Sequence, residues 1–216
     1  MPPRFPIALF DLDGTVADTL PLIYEAFDAA FAPILGRRHS DREIRDMFGP
    51  PDHEIIRMRV PETEAADAFN RYLDVYQRRH PELVTLFVGM DDVIRRAAAA
   101  GVRMGIITGK SRQTAIITLR ELGVLDAFPV LYGGDDVERP KPDPQALVAA
   151  LDDLQRTAAQ SAVMIGDSAM DIAAGKAAGL ATIAVRWGSP DIDEVDALSP
   201  DFVVSTSDQL CEALGI

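Results

Sequence analysis

Hydrophobic positions along this chain recur at two spacings, and the switches between them divide it into parts. Ile7-Ala8-Leu9-Phe10 is an unbroken apolar run, the pattern of a strand buried on both faces, and it ends on Asp11-Leu12-Asp13-Gly14-Thr15. The spacing then becomes helical. Leu20, Ile23, Tyr24, Phe27, Ala30, Phe31 and Ile34 fall at steps of three and four and predict an amphipathic helix over 19–35. Shorter helices are predicted over 41–48, over 52–59 beyond Gly49-Pro50-Pro51, and over 62–79, where Phe69, Tyr72, Leu73 and Tyr76 share a face. No strand pattern interrupts 18–80, so 18–83 reads as an all-helical insertion.

From Gly89 onward strand and helix alternate. Strands are predicted over 103–108, 130–132, 162–166 and 182–185, with helices over 91–100, 111–122, 144–155 and 169–178. Such alternation predicts a parallel sheet with right-handed crossovers. Phe202 to Val204 reads as a last short strand before a terminal helix, with Ser205 or Ser207 as its N-cap. The expected class is α/β: a Rossmann-like parallel sheet core with helices on both faces, built from 1–17 and 84–216, plus the inserted helical domain 18–83. Open α/β sheets bind ligands beyond the carboxyl ends of their strands, where the polar stretches of this chain fall.

Composition narrows the partners. Lys and Arg total 21 against 34 Asp and Glu, a formal charge of −13, which argues against general affinity for nucleic acid or anionic membrane. An anionic substrate must therefore be drawn by a local site. The single cysteine, Cys211, cannot form an internal disulfide, and no run reaches the roughly 18 apolar residues of a membrane helix. A soluble, cytoplasmic protein is expected, with oligomeric state unread.

Four stretches carry candidate chemistry. Asp11 and Asp13, two apart on an extended segment, point to one side and can hold a cation or do acid/base work, or the segment can be a turn allowed by Gly14. Thr108, with Gly109 behind it, ends the strand over 103–108, where a hydroxyl and free helix amides suit a phosphate; capping by Thr108 and Ser111 is the alternative. Lys141 is one of three lysines and sits between Pro140 and Pro142; a solvated side chain is its alternative. Asp167 and Asp171 lie four apart where a strand passes into a helix, a position that also favours an acid at Asp171 on helix-dipole grounds.

In order and spacing, Asp11-Leu12-Asp13-Gly14-Thr15, Ile106-Ile107-Thr108-Gly109, Arg139-Pro140-Lys141-Pro142 and Ile165-Gly166-Asp167-Ser168-Ala169-Met170-Asp171 resemble the four signature motifs of the haloacid dehalogenase superfamily. The resemblance covers nearly the whole chain and implies a magnesium-dependent phosphatase with a helical cap at 18–83. It implies that Asp11 is the nucleophile and Asp13 the general acid/base. The ammonium of Lys141 is expected to offset the charge of Asp11 and that of the phosphoryl group. Thr108, Gly109 and Thr15 are the implied substrate-binding and orienting residues, with a loop-stabilising hydroxyl as the other reading of Thr15. Magnesium ligands are implied at Asp11, Asp13 and Asp167, and at Asp171 directly, through water, or by ordering Lys141. All these donors are oxygen, the choice of Mg²⁺.

Asp13 stands against a dehalogenase, and the absence of lysine between Asp13 and Lys110 stands against phosphonoacetaldehyde hydrolases and β-phosphoglucomutases. The expected activity is hydrolysis of a small phosphorylated metabolite, with 2-phosphoglycolate first. Pyrophosphate, sugar phosphates and nucleotides are alternatives, as is a non-catalytic binding protein on this fold. Arg45, just before Gly49-Pro50-Pro51, is the expected selector of an anionic leaving group.

Overall fold

The computed structural model describes residues 2–157, 160–188 and 192–216. A six-stranded parallel sheet runs in the order β5-β4-β1-β6-β7-β8, with β1 (Ile7–Phe10), β4 (Arg103–Ile107), β5 (Val130–Tyr132), β6 (Ala162–Gly166), β7 (Ala181–Val185) and β8 (Phe202–Val204). The unbroken apolar run makes β1 a central strand: Phe10 pairs with Ile106 on one side and Ile165 on the other, and all four residues are fully buried. Alternate side chains serve different layers. Ala8 and Phe10 join the core that holds residues of α5 (Met90–Ala99), α6 (Arg112–Glu121) and α10 (Ser207–Leu214). Ile7 and Leu9 pack with α7 (Gln145–Asp153) and α8 (Ala169–Ala177).

Beyond β1 the chain continues outward through β4 and β5, then returns to the other side of β1 with β6. The strand order therefore reverses at β1, opening a crevice at the carboxyl ends of β1, β4 and β6.

Four helices are inserted between β1 and β4: α1 (Leu20–Leu35), α2 (Asp41–Arg45), α3 (Asp52–Arg59) and α4 (Glu62–Leu83). Their entry and exit are tied by an antiparallel ribbon, β2 (Ala17–Asp18) with β3 (Thr85–Leu86), which two-residue strands leave no alternation to announce. The apolar stripes of α1 and α4 meet through Phe27, 4.8 Å from Tyr72 between ring centroids. The insertion docks on α6: Thr114 Oγ1 donates to Asp52 Oδ2 at 2.6 Å, and Tyr76 Oη and Thr118 Oγ1 share a hydrogen bond of 2.7 Å.

Several boundaries differ from expectation. The helix expected over 62–79 runs on to Leu83 through Pro81, because the remaining turn still closes by Val84 N–H to His80 O. The helix expected over 41–48 ends at Arg45 and gives way to tighter turns at Met47 and Phe48. Thr206, rather than Ser205 or Ser207, caps α10, its hydroxyl accepting from Gln209 N–H. The short helix α9 (Ile192–Ala197) was not expected. Among the described residues, no helix is long and apolar enough to cross a membrane.

Candidate active site

Asp11 lies one residue beyond β1, and its N–H still donates to Ile165 O at 2.9 Å, so its carboxylate is held at the carboxyl edge of the sheet. Lys141 reaches it from the loop before α7. The ammonium donates to Asp11 Oδ1 and Asp171 Oδ1, both at 2.6 Å, and to Ile107 O at 2.9 Å, which occupies its three protons. Burial pushes the Asp11 carboxyl well above the ordinary range; Lys141 opposes this, but the charges of Asp171, Asp167 and Asp13 add to it. Burial disfavours the Lys141 ammonium, yet Asp11 and Asp171 outweigh that and keep it protonated.

Asp13 is met by a second lysine. Lys110 Nζ, nearly buried, donates to Asp13 Oδ1 at 2.8 Å and to Tyr76 Oη of the insertion at 2.6 Å, and Thr19 Oγ1 donates to the same Asp13 oxygen. The acid pair is thus held by two buried ammonium groups, one per carboxylate. Lys110 also links Asp13 to α4 through the Tyr76 hydroxyl.

Asp167 lies just past β6, where Thr15 Oγ1 donates to its Oδ1 at 3.1 Å. Burial first, then the charge of Asp171, raises its carboxyl to about 7 from the usual 3.8, against the opposing effects of Thr15 and Lys141. Gly14 makes this approach possible: its φ is +81°, and a Cβ there would stand 2.3 Å from Asp167 Oδ2. Asp171 is spent differently. One oxygen accepts from Lys141, and the other accepts from Ser168 N and Oγ, closing the capping box of α8.

Oxygen atoms of Asp11, Asp167 and Asp171 lie within 4.8 Å of one another. Four carboxylates, with Asp13, face two ammonium groups, and burial first, then the neighbouring carboxylates, raises Asp11 and Asp167. A hard divalent cation fits this donor set.

These groups open on a cavity of about 240 Å³. Asp11, Asp13, Thr108, Gly109, Lys141, Asp167 and Arg45, all singled out from the sequence, line it. Thr108 Oγ1 accepts from Lys110 N–H at 3.2 Å, while capping of α6 is left to Ser111, which accepts from Thr114 N–H. Arg45 is fixed by Tyr24, whose hydroxyl accepts from Nε at 3.1 Å and Nη2 at 2.9 Å. Thr15 departs from the substrate-binding expectation: it is fully buried and its hydroxyl is turned to Asp167, which it orients.

Lys110, Thr19 and Asp52 were not singled out. For Lys110 a signal existed, since it follows Thr108-Gly109 and is one of only three lysines. Burial disfavours ionised Asp52, but hydrogen bonds from His53, Thr114 and Ser111 and the charge of Lys110 outweigh it, holding the carboxyl below its ordinary range.

A carboxylate pair at the switch point of a parallel sheet, clamped by a buried lysine beside an acidic cluster, makes a site able to hold a cation and to do acid/base work. Residues 8–185 match the haloacid dehalogenase-like hydrolase family, and the chain belongs to it. Pyrophosphatase PpaX of Bacillus cereus (strain G9842) is 30% identical over 211 residues, covering 98% of this chain and 97% of that protein. Pyrophosphatase PpaX of Halalkalibacterium halodurans is 29% identical over 208 residues, covering 96% of each. Among solved structures, a predicted phosphoglycolate phosphatase from Haemophilus somnus 129pt superposes with a TM-score of 0.85 at 19% identity, covering 97% of both chains, a likeness of fold alone. CbbY from Rhodobacter sphaeroides, solved in complex with phosphate, gives a TM-score of 0.84 at 25% identity, covering 99% of this chain and 100% of that one. The chain is a hydrolase of this family.

Proposed function

We propose that the chain is a Mg²⁺-dependent phosphatase that hydrolyses a small phosphomonoester, 2-phosphoglycolate being the simplest fit, through an aspartyl-phosphate on Asp11. The observation that carries this is the Lys141 ammonium shared between Asp11 and Asp171 at the mouth of a cavity that Asp13, Thr108 and Asp167 also line.

A phosphate dianion is repelled by an ionised carboxylate, so the nucleophile needs neighbouring cations and donors. Asp11, Asp167 and the backbone carbonyl of Asp13 would hold Mg²⁺, which would supply charge neutralisation for the transferring phosphoryl group. Thr108 and the Gly109 amide bind phosphoryl oxygens, and Lys141 orients Asp11. An oxygen of Asp11 attacks phosphorus while the ester bond breaks, and Asp13 gives its proton to the leaving alkoxide. Asp13, now ionised, takes a proton from water as that water attacks the aspartyl-phosphate, releasing phosphate and restoring both carboxyl groups. Asp171 keeps Lys141 in place, and Thr15 keeps Asp167 in place. The helical insertion acts as a cap over the crevice.

Arg45, on the cap side of the cavity, suits a leaving group bearing a carboxylate. A pyrophosphatase is the second reading, supported by the names of the 30% identical relatives. Turnover of 2-phosphoglycolate, pyrophosphate and p-nitrophenyl phosphate, with Mg²⁺ and with excess EDTA, tests both. Activity is expected to need the metal, and Arg45→Ala is expected to lower kcat/KM for 2-phosphoglycolate at least ten-fold more than for p-nitrophenyl phosphate. Undiminished turnover in EDTA would end the scheme, and equal losses on both esters would remove Arg45 as selector.

A further inference from the structure

The wall that the insertion contributes to the cavity is mainly hydrocarbon: Leu20, Ile23, Phe27 and Ile55 line it beside Tyr72. Tyr72 is 1% exposed, with its ring packed against Phe27, Phe69 and Tyr76. Tyr76 spends its hydroxyl on Lys110 and Thr118. The Tyr72 hydroxyl makes no hydrogen bond among the described residues, although it lies in the fields of Asp52, Tyr76 and Asp13. Burial, with those charges, keeps it protonated and so a donor. The hydroxyl is not sealed away: it keeps a trace of accessible surface where Tyr72 borders the cavity, so a ligand oxygen there can accept from it. Asp52 also borders the cavity, but its carboxylate is spent on the His53 N–H and the Thr114 hydroxyl.

We propose that Tyr72 is a specificity-determining residue, donating to an oxygen of an organic leaving group whose carbon skeleton packs on Leu20, Ile23, Phe27 and Ile55. The inference rests on the phosphatase reading above and deepens it. It names the substrate class as phosphate esters of oxygen-bearing alcohols with apolar carbon beyond that of glycolate, and it sets pyrophosphate aside. Pyrophosphate offers a leaving group with no carbon to bury on that wall.

The full chain with Mg²⁺ is assayed on 2-phosphoglycolate, 2-phospholactate, the 2-phosphate of 2-hydroxybutyrate, pyrophosphate and phenyl phosphate. Phenyl phosphate serves as an ester without a further oxygen. The wild-type kcat/KM is expected to rise roughly four-fold with each added carbon and to exceed that for pyrophosphate at every chain length. Tyr72→Phe keeps the packed ring and removes only the hydroxyl. It is expected to lower the ratio of kcat/KM on the best hydroxy-acid phosphate to that on phenyl phosphate by roughly two- to ten-fold, the range of a neutral hydrogen bond. Pyrophosphate turned over as well as or better than the esters, a flat chain-length series, or an unchanged ratio in Tyr72→Phe would each overturn the proposal. Failure of the phosphatase reading looks different: no Mg²⁺-dependent turnover of any ester, phenyl phosphate included.

Discussion

Replacing Asp167 by Asn is expected to make the metal-free protein more stable while ending its use of Mg²⁺. The folded carboxyl is raised from 3.8 to about 7, so between those values the native state binds a proton that the unfolded chain does not. Unfolding free energy then falls as pH rises through that window and levels off above it. The shift of about three pH units, at about 1.36 kcal/mol each, sets a ceiling of about 4 kcal/mol. Asp167 lines the cavity and keeps partial exposure, so water relieves part of this, and about 2 kcal/mol is the expected gain. An asparagine can still present its oxygen to Thr15 and carries no charge toward Asp171. Urea unfolding in EDTA at pH 8, 6 and 4 reads the effect directly: a gain for Asp167→Asn at pH 8, shrinking toward zero at pH 4, with the stabilisation by added Mg²⁺ lost at every pH. A variant less stable than wild type at pH 8 in EDTA, or a difference independent of pH, would refute the electrostatic account of this cluster.

Lys110→Met keeps most of the stem but leaves Asp13 without its ammonium. Breaking a buried pair typically costs 3–5 kcal/mol; with Thr19 still donating and Asp13 partly open to the cavity, about 2 kcal/mol is expected in urea unfolding. The same variant should lose at least ten-fold in kcat on alkyl phosphates, as Asp13 loses its fixed position. Gly14→Ala strains a residue at φ +81° by about 1–2 kcal/mol and drives the new methyl into Asp167. A Mg²⁺ titration of activity should show a several-fold higher half-saturating concentration.

The ordered polar stretches were legible because each ends an apolar strand, and a parallel sheet leaves such ends at one edge. β1 announced itself through four consecutive buried residues, and α1 through a seven-position stripe. What stayed hidden depends on pairings between residues far apart in sequence. Lys110 meets Asp13 across 97 positions and Tyr76 across 34, and no local pattern encodes either meeting. Phe69, Tyr72 and Tyr76 read equally as a core stripe, and only the fold shows that Tyr72 alone of the two tyrosines borders the cavity with its hydroxyl unused. Thr15 could be placed in the first loop but not aimed, because its partner Asp167 stands 152 positions away. Element ends were misjudged where local rules yield to packing, as at Pro81 within α4, or where elements are too short to show a period, as in β2, β3 and α9.

The central claim is that Asp11 carries the phosphoryl group. Mixing the enzyme, Mg²⁺ and a ³²P-labelled phosphomonoester, quenching in acid within the first turnover and mapping the labelled peptide tests it most directly. The account predicts hydroxylamine-sensitive label on the peptide bearing Asp11 and none in Asp11→Asn, which should keep wild-type circular dichroism while losing turnover. Label on any other residue, or steady turnover by a deamidation-checked Asp11→Asn protein, would contradict it.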